Sequence, residues 1–180
     1  MGNFARSNCT FRVWYTVNVA RKDASSEDLE AAQKLSDPHY RLTHLYHIRT
    51  KMAGYEGQTV LFEPNRVQRK IYQAIEDNNR VIILKPRKLG TSTATILYLL
   101  DKAMYSENQM CRTIAHRKQT VQELFNDIAR FAFDRVPSVL RPEEKYTTRA
   151  ELAFKGTGSK YSIDVEARGM TPTYLHFSEI

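Results

Sequence analysis

The chain has 180 residues, enough for one domain with a proper core, and 42% hydrophobic residues with 10 Tyr and 8 Phe predict that it folds. Lys and Arg outnumber Asp and Glu by 27 to 20, and the resulting +7 charge suits a polyanion or nucleotide phosphates, although many proteins that touch neither share it. Two distant cysteines, Cys9 and Cys111, exclude a disulfide framework and a zinc spacing and point to a reducing cytoplasm, and no apolar run reaches the roughly 20 residues that span a bilayer.

The start, MGNFARS, lacks an apolar signal core, and Arg6 occupies the position where a myristoylation motif wants a hydroxyl. Alternation through Phe11, Val13, Tyr15 and Val17 predicts a strand, and Ser25 with Asp28 resembles a capping box that opens a short helix ending before Pro38. Residues 1–38 read as an N-terminal arm and 39–180 as the main domain. The stretch 39–62 interleaves aromatic and basic residues, with Gly54 and Gly57 turning the chain between two extended pieces. That pattern fits stacking on bases and also a half-buried strand over a basic surface, the reading favoured here. Pro64 and Asn65 then start a helix carrying Val67, Ile71, Ala74 and Ile75, which Asn78 and Asn79 end.

The stretch from Val81 to Thr93, VIILKPRKLGTST, organises the rest. A continuous apolar run, read as a strand buried on both faces of a parallel sheet, enters a basic turn that closes on Gly90, and hydroxyl residues open the next helix. A strand, a loop and a helix N-terminus in this order hold phosphate, because free N–H groups and the helix dipole converge on an anion. Against the pattern G-x-x-x-x-G-K-[ST], Gly90 takes the second glycine and Ser92 the hydroxyl, while Thr91 stands at the lysine and Lys85 at the first glycine. The bland alternative is a basic, solvated turn.

Beyond the helix from Ser92, CRTIAH (111–116) predicts a strand and Lys118 to Arg135 a helix with Val121, Leu124, Phe125, Ile128 and Phe131 on one face. A loop at 137–148 precedes a β-hairpin over residues 150–165, turned at KGTGS, and a final strand from Tyr174 to Phe177. Strand, helix, strand, helix predicts a doubly wound, mainly parallel α/β domain with an added hairpin.

Three further positions carry candidate chemistry. Ser178 and Glu179 end the last strand, where phosphate-loop enzymes hold magnesium and position the attacking water; a strand end with a solvated glutamate is the plain alternative. Gln68 has an amide that suits an adenine edge, with Phe62 or Tyr72 available to stack, but its position equally suits an exposed helix residue. Arg168-Gly169 is a candidate contact to phosphate or DNA, and His116 falls at the carboxyl end of a strand, where α/β sheets place ligands.

In their order and spacing, FEPNRVQRKIY, VIILKPRKLGTST, TIAHRKQTVQELF and ARGMTPTYLHFSEI resemble the ATPase domain of the tailed-bacteriophage terminase large subunit, from about Tyr40 to Ile180. The resemblance implies a RecA-like (ASCE) P-loop ATPase that uses ATP and Mg2+. Gln68 and Phe62 would bind adenine. Lys85, Pro86, Lys88, Leu89, Gly90, Thr91 and Ser92 would bind phosphate, with Arg87 the loop arginine. Glu179 would be the catalytic carboxylate, and Ser92 and Ser178 would belong to the magnesium shell. Two departures stand out: Thr91 replaces the lysine, for which an early Lys85 would substitute, and Ser178 replaces an aspartate. The implied partners are double-stranded DNA, a portal protein, a small terminase subunit and further copies in a ring, in the host bacterial cytoplasm. Set against that family, the sequence reads as truncated just after the Walker B position at Ser178-Glu179, with the family's coupling motif and nuclease domain absent.

Overall fold

The computed structural model describes residues 26–50, 54–84, 86, 89–169 and 171–178. Within them the chain is an α/β fold in which helices pack on a mixed five-stranded sheet, preceded by a separate two-stranded ribbon. The strand expected over residues 11–17 lies outside the described residues.

Helix α1 (Ser26–Ser36) leads into α2 (Pro38–His44). Asp37 caps α2 by accepting the His39 N–H at 3.0 Å, and Pro38 occupies the first turn, where its missing donor costs nothing. Residues 39–44 are therefore helical, a correction to the extended reading of that stretch. The extended pieces follow: β1 (His47–Arg49) pairs antiparallel with β2 (Thr59–Leu61), and Gly54 and Gly57 both adopt positive φ in the connection. In α3 (Arg66–Asp77) a full capping box forms, Asn65 accepting from the Val67 and Gln68 N–H groups and Gln68 accepting from the Asn65 N–H.

Helix α4 (Thr91–Tyr105) is central: Ile96, Leu97, Leu100 and Ala103 are fully buried, and it packs against α2, α3 and two strands of the main sheet. A helix apolar all round belongs inside a core. It delivers the chain to β3 (Met110–Ile114), after which α5 (Lys118–Leu124), a π-helical stretch (Phe125–Arg130) and α6 (Phe131–Asp134) form the helix expected over 118–135. Val121, Phe125 and Phe131 are buried there, while Leu124 and Ile128 lie partly buried against the core.

The expected hairpin is present as β5 (Glu151–Phe154) and β6 (Lys160–Asp164), extended by β4 (Glu144–Thr147), which pairs antiparallel with β5. Its sequence, EKYT, carries the charge of an edge strand, which is why it reads as loop. Finally β7 (Tyr174–Phe177) pairs parallel with β3 on the side opposite β6, giving the order β4-β5-β6-β3-β7.

The main correction concerns residues 81–84. They form no strand, and Ile82 and Leu84 are 89% and 95% exposed. A strand needs a ladder partner. Both edges of β3 are taken, by β6 and β7, and among the described residues the run pairs with neither outer strand of the sheet, β4 or β7.

A buried ion pair ties the first helices to α4. The Arg41 guanidinium donates two bonds to Asp101, at 2.9 and 2.6 Å, and further bonds to the Leu35 and Ser36 carbonyls, while the Tyr46 hydroxyl donates to Asp101 at 2.7 Å. Burial alone would pull the Arg41 pKa down, but the adjoining carboxylate outweighs it and the guanidinium stays charged. Burial and then the Asp101 charge push the Tyr46 phenol well above its ordinary value, keeping it a neutral donor.

Candidate phosphate-binding site

Strands β3, β6 and β7 run parallel, so their carboxyl ends lie along one edge of the sheet, the edge where open α/β sheets hold ligands. The N-terminus of α4 is brought to that edge: the Ser92 hydroxyl lies 3.4 Å from the Ser178 hydroxyl, 86 residues further along the chain. Ser178 is held there by its own N–H, which donates to the Ile114 carbonyl at 2.9 Å.

Gly90 caps α4 in the left-handed conformation, φ +65° and ψ 22°, and no side chain caps the helix. The first helical bond of this end runs from the Ala94 N–H to the Gly90 carbonyl, so the N–H groups of Thr91, Ser92 and Thr93 precede the ladder. No acidic residue sits in the first turn to neutralise the positive end of the helix. Thr91 is only 3% exposed, and its hydroxyl oxygen is buried without a hydrogen-bond partner. Among the described residues, this end of a well-packed helix thus offers donors that no protein group satisfies, the chemistry that an anion site uses.

Gln68 approaches from α3. Its side-chain nitrogen donates to the Gly90 carbonyl at 3.0 Å and to the Leu89 carbonyl at 3.3 Å, and its side-chain oxygen accepts from the Asn65 N–H at 2.9 Å. It is buried, 6% exposed, rather than an exposed helix residue. Tyr72 donates from its hydroxyl to the Ala94 carbonyl at 3.3 Å, and burial raises its pKa, so it remains a neutral donor.

The structure therefore gathers Gln68, Leu89, Gly90, Ser92 and Ser178, with Thr91 directly behind. Pro86 is exposed beyond them. Phe62 is 1% exposed within the hydrophobic core, and Tyr72 lies in the same cluster, so neither ring presents a face to a base in this conformation. Lys85, Arg87, Lys88 and Glu179 lie outside the described residues. His116 is exposed just past β3. Arg168 extends its side chain into solvent, and its carbonyl is 3.5 Å from the guanidinium of Arg112, which also donates to the Ser162 hydroxyl and the Glu166 carbonyl. Buried Arg112 thereby holds the connection between β6 and β7. Sequence reasoning missed it, and its only signal was a charge inside the short apolar run CRTIAH.

No cluster of three or more His, Cys, Asp or Glu side chains suited to a metal occurs among the described residues. The oxygen ligands that these residues do offer at the edge include the Ser92 and Ser178 hydroxyls. Such a pair fits an ion like magnesium, which keeps several waters and takes other ligands from a phosphate, and does not fit an all-protein cage. Among the described residues, no helix is long and apolar enough to cross a membrane. No protein-family profile matches this chain, and no curated protein matches it.

Proposed function

We propose that this chain is a RecA-like, phosphate-loop ATPase domain, the motor portion of a viral terminase large subunit that drives double-stranded DNA into a procapsid. The observation that carries the reading is the meeting of Ser92 and Ser178, 3.4 Å apart, at a helix N-terminus led by left-handed Gly90. Phosphate-loop enzymes need this juxtaposition: backbone donors and a hydroxyl from one segment, and the end of a neighbouring strand from another.

In this reading the N–H groups of Thr91, Ser92 and Thr93 bind phosphate oxygens, and the Thr91 hydroxyl gains a partner. Lys85 supplies the ammonium that Thr91 cannot, and Arg87 adds a planar fork for the γ-phosphate. Glu179, next to Ser178 in sequence, orients the attacking water for in-line displacement. Ser92 and Ser178 would hold magnesium, partly through water, and the bound ion would neutralise charge on the β- and γ-phosphates. A portal protein, a small terminase subunit and further copies in a ring would be its partners, in the host cytoplasm.

Titration with a fluorescent ATP analogue and magnesium tests the binding claim. Saturable binding by the wild type, weakened in Lys85→Ala and Ser92→Ala, is expected. In a complete protein that hydrolyses ATP, Glu179→Ala should abolish turnover while leaving ATP binding largely intact, and near-normal turnover would remove the assignment of Glu179. The second reading is a nucleic-acid-binding module with an inactive loop, favoured by the +7 charge and by threonine at the lysine position. Absence of nucleotide binding by the wild type, with DNA binding retained, would support it. A helicase-type ATPase would want a standard lysine and an Asp-Glu pair where Thr91 and Ser178-Glu179 stand.

A further inference from the structure

We infer that Gln68 is a positioning residue for the phosphate loop, acting through the Gly90 carbonyl whether or not a base is present. The inference rests on the phosphate-binding reading above and concerns how that site is held in shape.

The Gln68 carboxamide is engaged at both ends. Its oxygen takes the Asn65 N–H, and its nitrogen bridges the Leu89 and Gly90 carbonyls, 21 and 22 residues away. The Asn65 carboxamide in turn holds the Gln68 backbone N–H, so the first turn of α3 is a rigid mount. Gly90 is fitted to this mount: at φ +65° it needs a residue without a side chain, and an added Cβ would sit 2.8 Å from the Gln68 side-chain nitrogen. Fixing the Gly90 carbonyl fixes the peptide plane it shares with the Thr91 N–H, the first donor of the anion site. Gln68 therefore orients donors that bind phosphate, a role independent of the purine edge it also suits. A base that took the same amide would have to displace these bonds.

The two roles predict different specificities, so the experiment compares ATP with inorganic tripolyphosphate, which has no base. Isothermal titration with magnesium is run on the wild type, Gln68→Met, which keeps the volume without the amide, and Gln68→Glu, which keeps the acceptor for Asn65 but cannot donate to the carbonyls. The expected result is that both variants lose affinity for tripolyphosphate and for ATP by the same factor, roughly three- to tenfold, with thermal midpoints near wild type. In the absence of any ligand, amide hydrogen exchange at the junction of the loop and α4, read at Ala94, whose N–H donates to the Gly90 carbonyl, should quicken in both variants while the α4 interior stays protected. Variants that lose ATP affinity alone, with tripolyphosphate binding and loop exchange unchanged, would overturn the inference and leave Gln68 as a base reader. A wild type that binds neither compound would overturn the phosphate-site reading itself; unchanged loop exchange in the variants would then also refute the positioning role.

Discussion

The two halves of α4 solve opposite problems with the same helix. Toward its carboxyl end, Asp101 is buried in the core yet accepts bonds from Arg41 and Tyr46, and Arg41 also donates from Nη1 to the Leu35 and Ser36 carbonyls. At the amino end, Gly90 provides no side-chain cap, the first N–H groups precede the ladder, and the buried Thr91 hydroxyl has no partner. Satisfied polar groups in a core hold structure, while donors left open at a helix N-terminus are free for water or a ligand. Substitutions at the two ends should therefore separate stability from binding.

The largest stability effect is expected at the satisfied end. Asp101→Ala strands the Arg41 charge in the core and should cost about 3–5 kcal/mol in denaturant unfolding. It should also open the core to chemistry. Cys111, whose thiol burial pushes up to about 12 against a smaller opposing pull from Lys102, should resist iodoacetamide in the wild type and react in the variant. A variant that unfolds like wild type would show that the clamp is not what anchors α1 and α2.

Gly90→Val should cost about 1–3 kcal/mol through strain at positive φ and displacement of the Gln68 amide, and should lose nucleotide binding more completely than stability. Thr91→Val reverses the usual sign. Replacing a buried, unpartnered hydroxyl with a methyl should leave stability unchanged or raise it by about 1 kcal/mol, while weakening phosphate binding. A clear loss of stability in Thr91→Val would mean that the hydroxyl serves the fold, and the contrast between the two ends would fail.

The smallest effect calibrates the others. Glu144 pairs with Arg130 at 2.7 Å on the partly exposed surface. Burial tends to raise its pKa, but bonds from Thr147 and Arg130 outweigh this and leave it lowered. A lowered folded value means that the pair stabilises above the ordinary carboxylate pKa and ceases to as pH falls through the folded one. Arg130→Ala should thus cost only about 0.2–1 kcal/mol at neutral pH, a difference that disappears in acid. A larger cost would place this pair with the core clamp.

How far the chain could be read in advance differed by element. Pro64 and Asn65 signalled the start of α3, Gly54 and Gly57 marked the ribbon turn, and the hairpin of β5 and β6 alternated visibly about KGTGS. All of these signals are local. Strand β4 was hidden because an edge strand has no buried face to pattern, and α2 because its Asp37-Pro38 start lay in a stretch dominated by aromatic and basic residues. The candidate site was legible in part: Gln68, Gly90, Ser92 and Ser178 stood out by residue type or by place, whereas the unsatisfied state of Thr91 left no mark in the sequence and Arg112, which grips the β6–β7 connection, showed only as a charge in an apolar run.

By itself the sequence determined where most helices and strands begin and end and that a glycine opens α4, because capping, alternation and turn chemistry act over a few neighbouring residues. Only the tertiary structure decided the partners. It left residues 81–84 outside every described strand, turned the Gln68 amide onto the Gly90 carbonyl, and set Ser92 beside Ser178. Pairing and contact over such separations depend on strand order and helix placement, which no local pattern records.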